Sequence, residues 1–216
     1  MSIHSRQLSG ALLAGILLSA SAAPMRAYAG DWNFQVLLDG KPIGSHHFQV
    51  TEQGMATSVL SEADFRVSVL AVPFYRYRHV SHESFQGDCL QSLEASTSEN
   101  GVNQDVSGSA SDSAFVVTTP QGVTRLPACV MTFDYWNPRI LQQSRLLNPQ
   151  TGAYLPVVVT HLGSEVLSLG GNSDTAETYL ISADTMKIKL WYSADGRWLA
   201  LESPTPDGRL MRYQLR

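Results

Sequence analysis

The chain of 216 residues is short of the residues and spacings on which most recognisable chemistries depend. Basic runs are missing: 15 Lys and Arg stand against 19 Asp and Glu, a formal net charge of −4. That balance argues against nucleic acid or an anionic membrane surface as a partner. No G-x-S-x-G nucleophile elbow occurs, since "LGS" at Leu162–Ser164 and "SGS" at Ser107–Ser109 lack the pattern. Nor is there a G-x-x-x-x-G-K phosphate cradle. The histidines are scattered, and neither His46–His47 nor His79–His82 puts two imidazoles on one face of a strand. No metal site and no cofactor are expected from such spacing.

Long hydrophobic runs are also scarce beyond the first residues. "LSGALLAGILLSASAA" (Leu8–Ala23) follows Arg6 and precedes "AYA" (Ala27–Ala29), the layout of a signal peptide cleaved before Gly30. The run is too interrupted by Gly, Ser and Ala for a spanning helix of ~20 apolar residues. Residues 1–29 are therefore expected to be a cleaved signal peptide, and residues 30–216 a single exported, periplasmic β-rich domain. Removing Arg6 and Arg26 from the 15 basic residues leaves 13 against 19 acids, so the mature surface is acidic. No integral membrane segment should remain.

Only two cysteines occur, Cys89 and Cys129. With no C-x-x-C spacing and an oxidising destination, one structural disulfide is the expectation.

What the chain has in quantity is turn chemistry. Asp39-Gly40, Gln53-Gly54, Gln86-Gly87, Asn100-Gly101, Gln121-Gly122, Asp195-Gly196 and Asp207-Gly208 each separate stretches of β-forming residues. Asp-Gly and Asn-Gly supply the positive φ that tight hairpins demand. Between them apolar residues alternate: Trp32, Phe34, Val36 and Leu38 in one segment, Met186, Ile188 and Leu190 in another. The pattern predicts an all-β fold, one curved antiparallel meander of about ten to twelve strands shaped as a half-barrel or barrel. Two segments look like loops, the Gly/Ser-rich Glu99–Ser113 and Leu169–Glu177. One short helix is predicted over Asn137–Leu147, with Asn137 as cap and Pro138 at its first position.

Candidate chemistry concentrates in two places. On "YRYRHVSHESF" the alternation puts Tyr75, Tyr77, His79, Ser81, Glu83 and Phe85 on one face. A buried Glu83 near His79 would be a tuned acid or base; the plainer reading is a hydrogen-bonded strand glutamate. The second place is "DYWNP", where Tyr135, Trp136 and Asn137 would line either the core or the mouth of a pocket. The concave face of a long meander must be covered by its own side chains or by a ligand. The ligand, if the face holds one, would be apolar and lipid-like. The candidate ligand-binding residues are thus Tyr135, Trp136, Asn137, Tyr75, Tyr77 and Glu83, with no catalytic set complete.

The stretches "WNFQVLLDGKPIGSHHF", "YRYRHVSHESFQGDCLQSLEASTSENG", "CVMTFDYWNPRILQQSRLLNPQTG" and "GRWLALESPTPDGRLMRYQL" span most of the mature chain. On these residues the sequence resembles a family of bacterial exported proteins described as a domain of unknown function. The resemblance implies a soluble periplasmic β-protein and brings no activity with it. The "DGKPIG" hairpin is also similar to that of half-barrels that carry lipoproteins across the periplasm, an analogy of fold only. The chain is expected to be a non-enzymatic cell-envelope protein that binds or carries an apolar ligand. The alternatives are an enzyme with an acid–base site around Glu83, His79 and the Tyr135-Trp136-Asn137 corner, or an envelope assembly factor.

Overall fold

Alternating side chains and tight turns build the molecule almost entirely from hairpins. The computed structural model describes residues 29–69, 72–169 and 172–216. Apart from Ala29, the predicted signal segment lies outside the described residues. The strands are β1 (Gly30–Leu38), β2 (Lys41–Gln53), β3 (Ala56–Val69), β4 (Val72–Gln86), β5 (Cys89–Glu99), β6 (Val102–Ser111), β7 (Ala114–Thr119) and β8 (Gly122–Leu126). A crossover that contains β9 (Arg145–Leu147) and β10 (Tyr154–Pro156) leads to β11 (Val158–Leu169), β12 (Asn172–Ala183), β13 (Met186–Tyr192), β14 (Trp198–Pro204) and β15 (Leu210–Leu215).

Thirteen of them form one antiparallel sheet in the order β11-β12-β13-β14-β15-β1-β2-β3-β4-β5-β6-β7-β8, with β9 and β10 as a separate ribbon. The count exceeds the ten to twelve expected, because two stretches expected to be loops are strands. Glu99–Ser113 contains β6, laddered on both sides by β5 and β7. Its small residues have a packing reason: a Cβ on Gly108 would lie 2.4 Å from the Phe115 ring. The part of Leu169–Glu177 that the structure describes belongs largely to β12, where Ala176 is buried beside Leu167 and Trp191.

Strand β1 sits mid-sheet, paired with β15 on one side and β2 on the other. Two arms therefore spread from the centre, β2–β8 and β15–β11, and their inner faces share one core. The sheet is open: among the described residues the edges β8 and β11 do not pair. The predicted turns hold, with φ of 50° and 76° at Asp39 and Gly40, and 51° and 86° at Asn100 and Gly101.

The crossover from Pro127 to Val157 links the two edges through the interior. Its backbone is tied to the sheet, Leu90 N–H donating to Val130 O at 3.0 Å, and Cys89 is bonded to Cys129. The expected helix is reduced to a 3₁₀ turn, Pro138–Gln142, with Asn137 as its cap. Propensity yields there to tertiary pairing: Arg145–Leu147 joins Tyr154–Pro156 as a ribbon, burying Leu146 and Leu147 completely. Gly152, at φ 73°, ends this excursion where a Cβ would meet Thr119 Cγ2 at 2.5 Å. No helix among the described residues is long and apolar enough to cross a membrane.

Candidate functional site

Strand alternation sends one side chain in two into the concave interior, and on β3, β4 and β5 several of those are polar. The register sets Val59, Glu83 and Leu93 in one row, Ser61, Ser81 and Ala95 in the next, and Ala63, His79 and Thr97 in a third. All nine are buried. The neighbouring β2 adds His46 from the same face. His47 and His82 point outward, His47 lying 3.6 Å from Asp31 and 4.0 Å from Glu62.

These inward polar groups face a cavity of about 230 Å³ between the two arms. His46, Ser61, His79, Ser81 and Glu83 form one wall. Met186, Ile188, Leu201, Met211 and Tyr213 of the other arm form the facing one. The crossover contributes Phe133, Asp134 and Tyr135, with Asn148, Pro149 and Gln150 at the far end. A larger groove of about 540 Å³ opens on the outer face beside His82, Glu94 and Asp105, but those side chains are all solvated. Burial of polar groups, and hence perturbed chemistry, belongs to the inner cavity.

Glu83 is the best-bonded member. Ser81 Oγ donates to its Oε1 at 3.2 Å, and Thr132 Oγ1 donates to its Oε2 at 2.8 Å. Asp134 is beside it, 4% exposed, and its Oδ2 has no hydrogen-bond partner. The indole N–H of Trp136 lies near enough to favour the ionised form of Asp134, yet it too closes no hydrogen bond. Burial drives the Glu83 carboxyl well above the usual carboxylate range, and the Asp134 charge pushes the same way against the two hydroxyl donors. Burial likewise raises Asp134, to about 6. Two neighbouring buried carboxyls do not readily ionise together, so the pair holds a shared proton to higher pH than free carboxyls do.

The histidines add no compensating charge. His79 Nδ1 bonds Thr97 Oγ1 at 2.9 Å, and burial lowers its pKa to about 4. His46 bonds Ser61 Oγ at 2.7 Å and the Tyr213 hydroxyl at 3.3 Å, with its ring stacked 4.0 Å from Phe48. Burial first, then His79, holds it well below the ordinary imidazole value. Both rings are neutral at pH 7.

Of the residues singled out in the sequence, Glu83, His79 and Tyr135 do meet around this cavity. Trp136 does not line it; its ring packs edge-on to Phe85 at 5.9 Å. Asn137 is committed to the backbone, its Oδ1 accepting from Arg139 N–H at 3.1 Å. Tyr77 stacks on Phe65 at 5.2 Å, next to His79 but outside the lining. Tyr75 is half-buried further along β4, where burial and then Glu99 raise its hydroxyl to about 12. Asp134, Thr132, Ser61 and Tyr213 are not singled out by the sequence, and His46 enters there only as a metal-ligand candidate. The available signal was an acid set in the apolar run "VMTFDYW", where an unpaired carboxylate is costly.

A wide, open, curled antiparallel sheet with an internal crossover defines a β-barrel-like protein. Residues 34–216 match the family described as Domain of unknown function (DUF6134), and the chain belongs to that family. The fold is similar to that of a β-barrel-like protein of the domain of unknown function DUF1849 from Brucella abortus, known from its crystal structure. The likeness has a TM-score of 0.67 over 88% of this chain and 97% of that one, at 10% identity, and extends to the fold alone. No curated protein matches the sequence.

Proposed function

We propose that the protein is exported to the periplasm and acts there as a non-enzymatic binding protein of the cell envelope, holding a small amphipathic ligand inside the sheet. The observation that carries this reading is the two-sided cavity, polar on the β2–β4 wall and apolar on the β13–β15 wall. Its size narrows the expected lipid-like ligand. Much of the concave face is filled by the chain's own Trp32, Phe34, Trp136 and Trp198, each no more than 1% exposed. About 230 Å³ is the volume of seven or eight liquid waters at ~30 Å³ each. That suits a short chain with a polar head or the end of an acyl chain, not a whole phospholipid.

Native mass spectrometry of protein purified from a periplasmic extract tests the reading. The wild type should carry a small bound molecule, and it should be lost in Ser203→Trp, which puts an indole at a β14 position that also lines the cavity. Wild-type protein that emerges ligand-free and takes up no amphipathic probe would sink the proposal.

Acid–base catalysis is the second reading, favoured by the convergence of His79, Tyr135 and a proton-sharing carboxyl pair on one cavity. The two separate on the fate of the ligand. A carrier returns it chemically unchanged; an enzyme converts it, and Glu83→Gln stops the conversion.

A further inference from the structure

The cavity contains two buried acids that no cation in its lining balances. Outside the cavity several acids find cations, Asp88 meeting Arg139 at 2.8 Å, Glu165 meeting Lys189 at 2.8 Å and Asp39 meeting Arg209 at 2.8 Å, all at least partly exposed. Inside, Glu83 and Asp134 are 3% and 4% exposed, and no Lys or Arg lines the cavity they share. Buried carboxylates are ordinarily paired or metal-bound, because an uncompensated charge in a low dielectric is expensive. A metal ion is poorly served here, since the described residues contain no group of three or more His, Cys, Asp or Glu placed to hold one. Asp134 also leaves Oδ2 without a hydrogen-bond partner on a side chain that lines the cavity.

Resting on the binding reading above, we propose that the ligand carries a protonated amine, its ammonium seated against the Glu83–Asp134 pair and its alkyl part against Met186, Ile188, Leu201 and Met211. An ammonium brings three donors and a positive charge, which supplies what Oδ2 lacks and neutralises the pair. A carboxylate or phosphate head would meet repulsion from the same acids. A neutral hydroxyl would hydrogen-bond but leave the charge unbalanced. Phe133, Tyr135 and Tyr213 in the wall add aromatic rings, with which a cation can interact favourably.

The proposal has a proton signature. The titratable groups facing the site are Glu83, Asp134, His46, His79, Tyr135 and Tyr213; burial favours the neutral form of the carboxyls and of both imidazoles. One ammonium balances the single negative charge of a pair that shares one proton, so that proton stays in place as the amine enters.

Isothermal titration of the purified mature protein near neutral pH tests this with n-hexylammonium, 1-hexanol and hexanoate, in two buffers of different ionisation enthalpy. The amine should bind on the order of tenfold tighter than the alcohol, and the carboxylate more weakly than either, the step expected of one charge-assisted contact. Neither amine nor alcohol binding should release a full proton near neutral pH, and release of a full proton by the amine would mean that the pair does not hold its shared proton. In Asp134→Asn the amine should lose its advantage while hexanol still binds, which also shows that the variant is folded; Glu83→Gln serves if Asp134→Asn does not fold. Equal affinity for amine and alcohol, or tighter hexanoate, would overturn the amine while leaving the binding reading standing. If none of the three binds at millimolar concentration, both fall.

Discussion

Two regions of one interior, laid on different strands of the same sheet, are built from opposite materials. Around Trp198 the packing is aromatic and complete: its ring sits 4.3 Å from Phe34, 5.2 Å from Phe48 and 5.3 Å from Tyr135. Both buried indoles there are satisfied, Trp32 Nε1 donating to Trp198 O at 3.1 Å and Trp198 Nε1 to Ala200 O at 2.9 Å. Around Glu83 the same inward positions carry Ser61, His79, Ser81 and Thr97, a space remains, and both Asp134 and Trp136 have buried polar atoms without partners. Alternation decides which side chains enter; residue type decides whether they close up. One end is made for stability, and the other retains polar groups that stability alone would not select.

The contrast can be broken by measurement. The largest effect is expected at the aromatic end: Trp198→Ala should cost about 3–5 kcal/mol in a denaturant titration, whereas Ser61→Ala at the polar end should cost under ~2 kcal/mol. Equal losses would mean that the two ends do not differ as described. Next comes the crossover. Cys89→Ser opens a loop with a sequence separation of 40, worth about 4 kcal/mol in the chain-entropy model. Its melting temperature should fall below that of the wild type, and reductant should change it no further.

A smaller effect separates the charges. Glu83 and Asp134 bind protons more tightly folded than unfolded, where their ordinary values are 4.5 and 3.8. Stability from this pair is present below the unfolded range and is lost as pH rises to about 6 and beyond. His46 and His79 act oppositely, withholding in the folded state the protons that the unfolded chain takes up near 6.5, so their loss grows as pH falls from there toward about 4. Glu83→Gln should therefore gain stability over wild type at mildly alkaline pH, the gain fading toward acid pH. A difference that does not vary with pH would remove the buried charge from the picture. The smallest change is outside: Arg139→Ala, which breaks a half-exposed pair with Asp88, should cost less than ~1 kcal/mol.

The strands that alternate cleanly were readable because each registers its own burial, as Trp32, Phe34 and Val36 do. Strand β6 was not, since only Val106 is buried along it and its order comes from ladders on either side. The site was half readable for a related reason. Glu83 and His79 show themselves on one face of one strand, but Asp134 reaches them only because the crossover folds inward, tying Thr132 to Glu83 across a sequence separation of 49. No local pattern encodes that meeting. The family resemblance pointed to an exported β-protein without marking either acid.

The mid-sheet position of β1 has a kinetic consequence. Every other neighbouring pair in the large sheet except β1–β15 joins strands consecutive in sequence, so each arm can assemble hairpin by hairpin from local contacts. The β1–β15 ladder instead joins Phe34 to Leu215. Loop-closure entropy rises only logarithmically with the length enclosed, but it must be met before that ladder returns any free energy. Assembly then has a natural last act: two nearly finished arms meet at their inner strands, and the cavity comes into being only when they do.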